Sequence, residues 1–134
     1  NTHLSHRDSK SRFPQLNHMI STINRAPFEK GAWSGEHTDE GWTEGKKPPM
    51  PSQFILMGDM NCNIDSEEYK EITTTENFYD TWKNKDKNID RATNLSGDSI
   101  DHCYVSHELI GKVKNTYIDK MPKGSDHYPL WIEI

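Results

Sequence analysis

Apolar residues are scarce in this chain: they make up 31% of 134 residues, and the mean hydropathy is -0.98. No apolar run approaches the roughly 20 residues that a membrane-spanning helix needs, so no such helix is predicted. The first residues do not read as a signal peptide, and the compartment is left undetermined. Cysteine is nearly absent. Cys62 and Cys103 are too few for a disulfide scaffold, and their spacing fits no zinc template, so free thiols are the expected state. A disulfide stays open should their two strands be neighbours. Basic residues are also in the minority, 16 Lys and Arg against 21 Asp and Glu, for a net charge of -5. That balance leaves no evident basic footprint for sequence-independent DNA binding, although it does not exclude a nuclease.

Against these shortages stand four Trp, five Tyr and four Phe, more than a disordered chain of this polarity would carry. The length allows one domain at most. Low apolar content beside abundant aromatics fits a portion of a larger domain, and Asn1 falls inside what reads as a strand end.

The organising stretch is QFILMGDMN, Gln53 to Asn61. Phe54 to Met57 is an apolar run too short for a typical helix and preceded by Pro48, Pro49 and Pro51, so a buried strand is predicted, ended by Gly58. Residues two apart in an extended chain point the same way. Asp59 and Asn61 would thus present a carboxylate and an amide oxygen together, and paired hard oxygens suit Mg²⁺, Mn²⁺ or Ca²⁺. Because Asp59, Asn61, Asn63 and Asp65 alternate, the start of an EF-hand loop is a competing reading, that of a calcium-binding module without catalysis. That template wants Gly at its sixth position and Glu at its twelfth. Ile64 and Lys70 stand there instead, and a strand pattern precedes the loop where a helix is required.

Two further stretches repeat the plan. SIDHCYVS, Ser99 to Ser106, holds Asp101 at an apolar edge, and SDHYPLWIEI, Ser125 to Ile134, puts Asp126 and His127 before a closing strand. With NTHL at the start, the chain reads NxHL, GDMN, IDH, SDHYP in order. This series resembles the endonuclease/exonuclease/phosphatase superfamily, which includes DNase I-like and exonuclease III-like nucleases, neutral sphingomyelinases and inositol polyphosphate 5-phosphatases. The resemblance covers essentially the whole chain but corresponds to only the C-terminal half of that domain.

The resemblance implies an α/β fold, a four-layered sandwich of two packed mixed sheets flanked by helices, here N-terminally truncated over residues 1–134. It implies a divalent-metal-dependent phosphoester hydrolase, a phosphodiesterase, nuclease or phosphatase, using Mg²⁺ or Mn²⁺. By the match of motifs, His127 is the general base and Asp101 holds its imidazole. Asp59 and Asn61 position water and phosphate near the metal, Asp126 serves the metal site, and His3 hydrogen-bonds a phosphate oxygen. A neutral imidazole suits proton abstraction near neutral pH. The substrate class, whether nucleic acid, phospholipid or small phosphate ester, is not encoded in these motifs, and no obligate protein partner is inferred. A catalytically dead scaffold domain is a further alternative. Because the family's metal-binding glutamate belongs to the N-terminal half, the segment alone is expected to be poorly stable and inactive.

His102 departs from the commoner pattern, in which an aromatic Tyr follows the Asp, and a structural histidine is predicted there. His6, His18, His37 and His107 match no motif and read as surface residues. Elsewhere, Leu16, Met19, Ile20 and Ile23 form one helical stripe within Phe13–Arg25, with Pro14 in its first turn and Pro27 ending it. Phe28 to Ser52, with Trp33 and Trp42, lacks periodicity and reads as a long surface excursion or a substrate-contacting lid. Asp65 to Glu68 has the form of a capping box that opens a short helix to about Thr73. Phe78 to Trp82 reads as a brief aromatic strand or turn, and Lys83 to Asp98 as polar turns. Strands are predicted over Ser99–Val105, Val113–Ile118 and Leu130–Ile134, the last alternating as a half-buried strand does.

Overall fold

The apolar run does form a strand, β2 (Ile55–Asp59), but it runs through Gly58 instead of stopping there. In the computed structural model, which describes residues 1–29, 49–82, 85 and 88–134, Gly58 has φ +148° and lies against β1 (Thr2–His3). A Cβ on Gly58 would sit 1.9 Å from the Thr2 carbonyl oxygen. The glycine is there so that two backbones can touch, and the strand survives because its neighbour holds it. Trp33, Trp42, His37 and the rest of the predicted excursion from residue 30 to 48 lie outside the described residues.

Helix α1 (Ser9–Arg25) begins a turn earlier than its apolar stripe announces, because Asp8 caps it, accepting from the Ser11 N–H at 2.8 Å. Pro14 consequently sits inside the helix, not in its first turn. Leu16 is fully buried, and Phe13, Met19, Ile20 and Ile23 pack beside it, as the stripe requires. A turn of 3-10 helix containing Pro27 follows. Helix α2 (Glu67–Thr74) is capped by Ser66, whose side chain accepts from Tyr69 N–H, and not by Asp65. The expected capping partner, Glu68, turns instead into the interior and meets the Arg12 guanidinium at 2.8 Å, tying α2 to α1. Burial opposes the charge on Glu68. Hydrogen bonds from Ser9, its own N–H and Arg12 outweigh burial and hold its carboxyl below the ordinary value.

The chain then adds β3 (Tyr79–Asp80), β4 (Asp101–Val105), a short helix α3 (His107–Ile110) that the sequence reading did not anticipate, β5 (Asn115–Ile118) and β6 (Leu130–Glu133). One sheet has the order β1-β2-β4-β3, with β1 parallel to β2 and the other pairs antiparallel; β5 and β6 pair as a second, two-stranded sheet. The described residues thus form a mixed α/β fold with two sheets and three α-helices. Along β6, Leu130 and Ile132 are half-buried while Trp131 and Glu133 are exposed, which is the alternation predicted. No described helix is long and apolar enough to cross a membrane.

Helices α1 and α2 cover one face of the larger sheet, where Leu16 and Ile72 join Leu4, Leu56, Met60, Cys62, Phe78 and Tyr104 in the core. Cys62 and Cys103 are both buried and free. Although β2 and β4 are neighbours, no disulfide links them, and burial pushes the thiols up to about 11 and about 12, so both stay protonated at neutral pH.

Gly58→Ala tests the contact between β1 and β2. The added Cβ must displace Thr2, so a loss on the order of 3 kcal/mol is expected in chemical denaturation. The Leu4 amide, which donates to Asp59 O at 2.9 Å, should lose its exchange protection. Unchanged protection would show that β1 can yield without detaching.

Candidate active site

Strand register does the first part of the assembly. His3 pairs with Asp59, and Asp59 pairs with Asp101, so the last residue of β1, the last of β2 and the first of β4 stand in one row at one end of the sheet. Directly opposed residues project from the same face. The row therefore lines up an imidazole and two carboxylates, with His3 Nε2 3.5 Å from Asp59 Oδ2. The His3 side chain is largely exposed, while those of Asp59 and Asp101 are mostly covered.

His127 comes from the connection before β6. An isolated bridge pairs it with Asn94, and the hydrogen bonds Leu95 N–H to Asp126 O (2.9 Å) and Tyr128 N–H to Thr93 O (2.8 Å) extend that pairing on both sides. So held, His127 puts Nδ1 2.8 Å from Asp101 Oδ2 and Nε2 3.9 Å from Asp59 Oδ2. The Asp101 hydrogen bond raises the His127 pKa above its ordinary value; partial burial opposes this, and the charges of Asp101, Asp59 and Asp126 add to it. Asp126 itself is exposed beside the ring.

Asn61 joins the site by a route other than the one the sequence suggested. It lies beyond the strand at φ +50°, so alternation does not align it with Asp59. Instead its N–H donates to Asp59 Oδ1 at 2.8 Å, a local Asx-type turn that asparagine tolerates in the left-handed region. Its side-chain amide donates to Leu4 O at 2.9 Å, which ties the turn to β1.

Two carboxylates in neighbouring register positions repel each other, and among the described residues neither Asp59 nor Asp101 is paired with a Lys or Arg. Asp59, Asp101 and His127 offer ligand atoms that all lie within 4.8 Å of one another. Mainly hard oxygens with one imidazole and no arginine to neutralise them form a donor set fit for a divalent cation. Asp126 is not part of that cluster. The EF-hand alternative lacks its entering helix, since β2 precedes the loop, and Asn63 is turned away to Asp98 and Ser99.

Two polar residues near the site are not marked as part of it by the sequence: Thr93 has no sequence signal, and Asn63 enters only through the EF-hand alternation. Thr93 is buried, and its hydroxyl accepts from the Ile100 and Asp101 N–H groups at 3.0 Å each. Asn63 bonds both Asp98 and the Ser99 N–H. Only hydrogen bonds between distant parts of the chain give either its role here.

The family model of the endonuclease/exonuclease/phosphatase family matches residues 7–127. The chain belongs to this family. The match spans Asp59, Asn61, Asp101, Asp126 and His127, while His3 lies just before it. Neither the curated proteins nor the solved structures contain a significant match. The endonuclease/exonuclease/phosphatase family includes phosphoester hydrolases and is generally dependent on a divalent metal.

His102 is buried, as a structural histidine should be, with Nε2 2.8 Å from Cys62 O. His6, His18 and His107 are exposed, as predicted.

The hydrogen bond to Asp101 generates a pH prediction. A raised folded-state pKa means that the stabilisation of protonated His127 is complete below the ordinary imidazole value of about 6.5 and is lost as pH rises through the raised one. NMR titration of the wild-type chain should find His127 above the ordinary value, and Asp101→Asn should bring it down. A titration indifferent to that substitution would remove Asp101 as the cause.

Proposed function

We propose that this chain carries the water-activating part of a divalent-metal-dependent phosphoester hydrolase, a phosphodiesterase, nuclease or phosphatase. The observation that carries the proposal is the doubly facing His127 ring, hydrogen-bonded to Asp101 at Nδ1 and turned toward Asp59 at Nε2. In this reading Asp101 keeps the proton on Nδ1, which leaves Nε2 as the lone-pair nitrogen. That nitrogen takes a proton from water as the water attacks phosphorus in line, the opposite P–O ester bond breaks and its oxygen leaves to be protonated from solvent, and Asp101 stabilises the resulting imidazolium, the orienting role of a triad aspartate. No covalent enzyme intermediate is required.

Asp59, Asn61 and Asp126 are proposed as metal ligands; Asp59 comes from the cluster of Asp59, Asp101 and His127, whose other two members are kept for the proton. The Asn61 side-chain nitrogen is occupied by Leu4 O, and its oxygen is left for an ion or a phosphate's surroundings. Mg²⁺ or Mn²⁺, when bound, supplies neutralisation of phosphoryl charge. His3, exposed at the end of the row, is proposed to donate to a phosphate oxygen, where a hydrogen bond strengthens as charge shifts in the transition state. The chain is proposed to be the C-terminal portion of a four-layered sandwich domain and to need the remainder for full activity. The substrate is a phosphoester, and the rest of its structure is read by loops outside this row.

In the full-length protein, His127→Ala should lower turnover about a hundredfold or more, the scale of a general-base contribution, with far less change in substrate binding. Near-wild-type turnover in a folded variant would refute the role. Activity should require Mg²⁺ or Mn²⁺ and vanish on chelation with EDTA. Zinc dependence that survives Asp59→Ala would count against an oxygen-ligated site.

A further inference from the structure

Asp101 and His127 belong to different sheets' territory, since Asp101 opens β4 and His127 sits in the β5–β6 connection. Their 2.8 Å hydrogen bond needs something that fixes both backbones against each other. One buried residue touches the two. The Thr93 hydroxyl accepts from the Ile100 and Asp101 N–H groups at 3.0 Å each, and the Thr93 carbonyl accepts from Tyr128 N–H at 2.8 Å. Asn94, the next residue, bridges to His127.

The segment holding Thr93 is itself closed into a rigid loop. Thr93 N–H donates to Asp98 O at 2.7 Å, Asn94 Oδ1 accepts from Asp98 N–H at 2.8 Å, and Asn63, beyond β2, grips Asp98 and the Ser99 N–H. The loop is thus anchored to the same β2–β4 pair that carries Asp59 and Asp101. Thr93 is 1% exposed, so water cannot replace its hydroxyl as acceptor without opening the packing.

We propose that Thr93 is a positioning residue for the His127–Asp101 pair: its hydroxyl sets the height of the Asp101 backbone while its carbonyl sets that of the His127 segment. It touches neither water nor phosphate. Its effect reaches chemistry only through the tautomer and direction of the His127 ring, so the inference rests on the general-base reading given above. Valine in its place has nearly the same shape and leaves two partly buried N–H groups without their acceptor. Misplacement of a catalytic group by about 1 Å is enough for losses of up to a hundredfold.

The test compares Thr93→Val, Thr93→Ser and Thr93→Ala with wild type by two readouts. In the full-length protein, ¹⁵N shifts of the His127 imidazole report the tautomer. Wild type and Thr93→Ser should show the Nδ1–H form that Asp101 holds, and Thr93→Val should show a mixture of both forms. In the full-length enzyme, Thr93→Val should lower kcat roughly tenfold or more with KM within about twofold, and Thr93→Ser should restore most of it. Should Thr93→Val not fold, Ser and Ala share the lost methyl group, so their difference isolates the hydroxyl. A His127 tautomer unchanged in Val or Ala would overturn the proposal, as would the same tautomer mixture in Ser and Ala. A shifted tautomer with unchanged kcat would uphold the positioning of the pair and sink the general-base reading instead.

Discussion

Three strands in one register are the constraint on which the rest depends. His3, Asp59 and Asp101 share a row only because β1, β2 and β4 pair as they do, and a slip of one residue in β2 would turn Asp59 to the helix-covered face. What prevents the slip is the core on that face. Leu56 and Tyr104 are register partners, both buried against α1 and α2, and slippage would expose them. Gly58 fixes the other side of β2, since no residue with a Cβ would let β1 lie so close. Packing on one face thereby decides the chemistry on the other.

The distribution of arginines follows the same division. Arg12 is given to Glu68 and Arg91 to Asp80, two nearly buried carboxylates that would be costly to leave unpaired. Arg91 also lies over the Tyr69 and Trp82 rings. Asp59 and Asp101 receive no such partner among the described residues, only histidines. The fold neutralises its structural acids with arginine while leaving two neighbouring acids to imidazoles, an arrangement with room for a positive charge.

How much of this was legible in the sequence depends on the length scale of the signal. The strand around Leu56, the stripe of Leu16, Met19, Ile20 and Ile23, the alternation of β6 and the four short motifs are local patterns, and each led to a correct element or a correct neighbourhood. Termini were read less well. Asp8 and Ser66 each lie one or a few residues from the expected start, because a cap is a single polar side chain with no periodicity behind it. Asn61 was brought to the right partner by the wrong cause, a left-handed Asx-type turn where strand alternation was expected. Thr93 could not be read at all, and Asn63 was read only as part of an EF-hand-like alternation that the fold does not use. Their meaning lies in hydrogen bonds to residues that are distant in sequence or set by an irregular loop, and a polar stretch such as 83–98 looks the same whether or not it is so used.

His102 and His127 show why residue type alone does not locate a candidate base. His102 follows Asp101 on β4, so alternation sends its ring to the opposite face, into the core beside Tyr69 and Tyr104. There burial pushes its pKa down, against the pull of the Cys62 carbonyl, and it stays neutral at physiological pH. Neutrality is what a base needs, yet a ring with no exposed surface has no water to deprotonate. The His127 ring is partly open, and its Asp101 hydrogen bond pushes the pKa the other way, toward the stronger basicity that proton abstraction uses. Asp101, one position before His102 on β4 and hydrogen-bonded to His127 from the β5–β6 connection, thus neighbours two histidines with opposite pKa shifts and opposite surroundings.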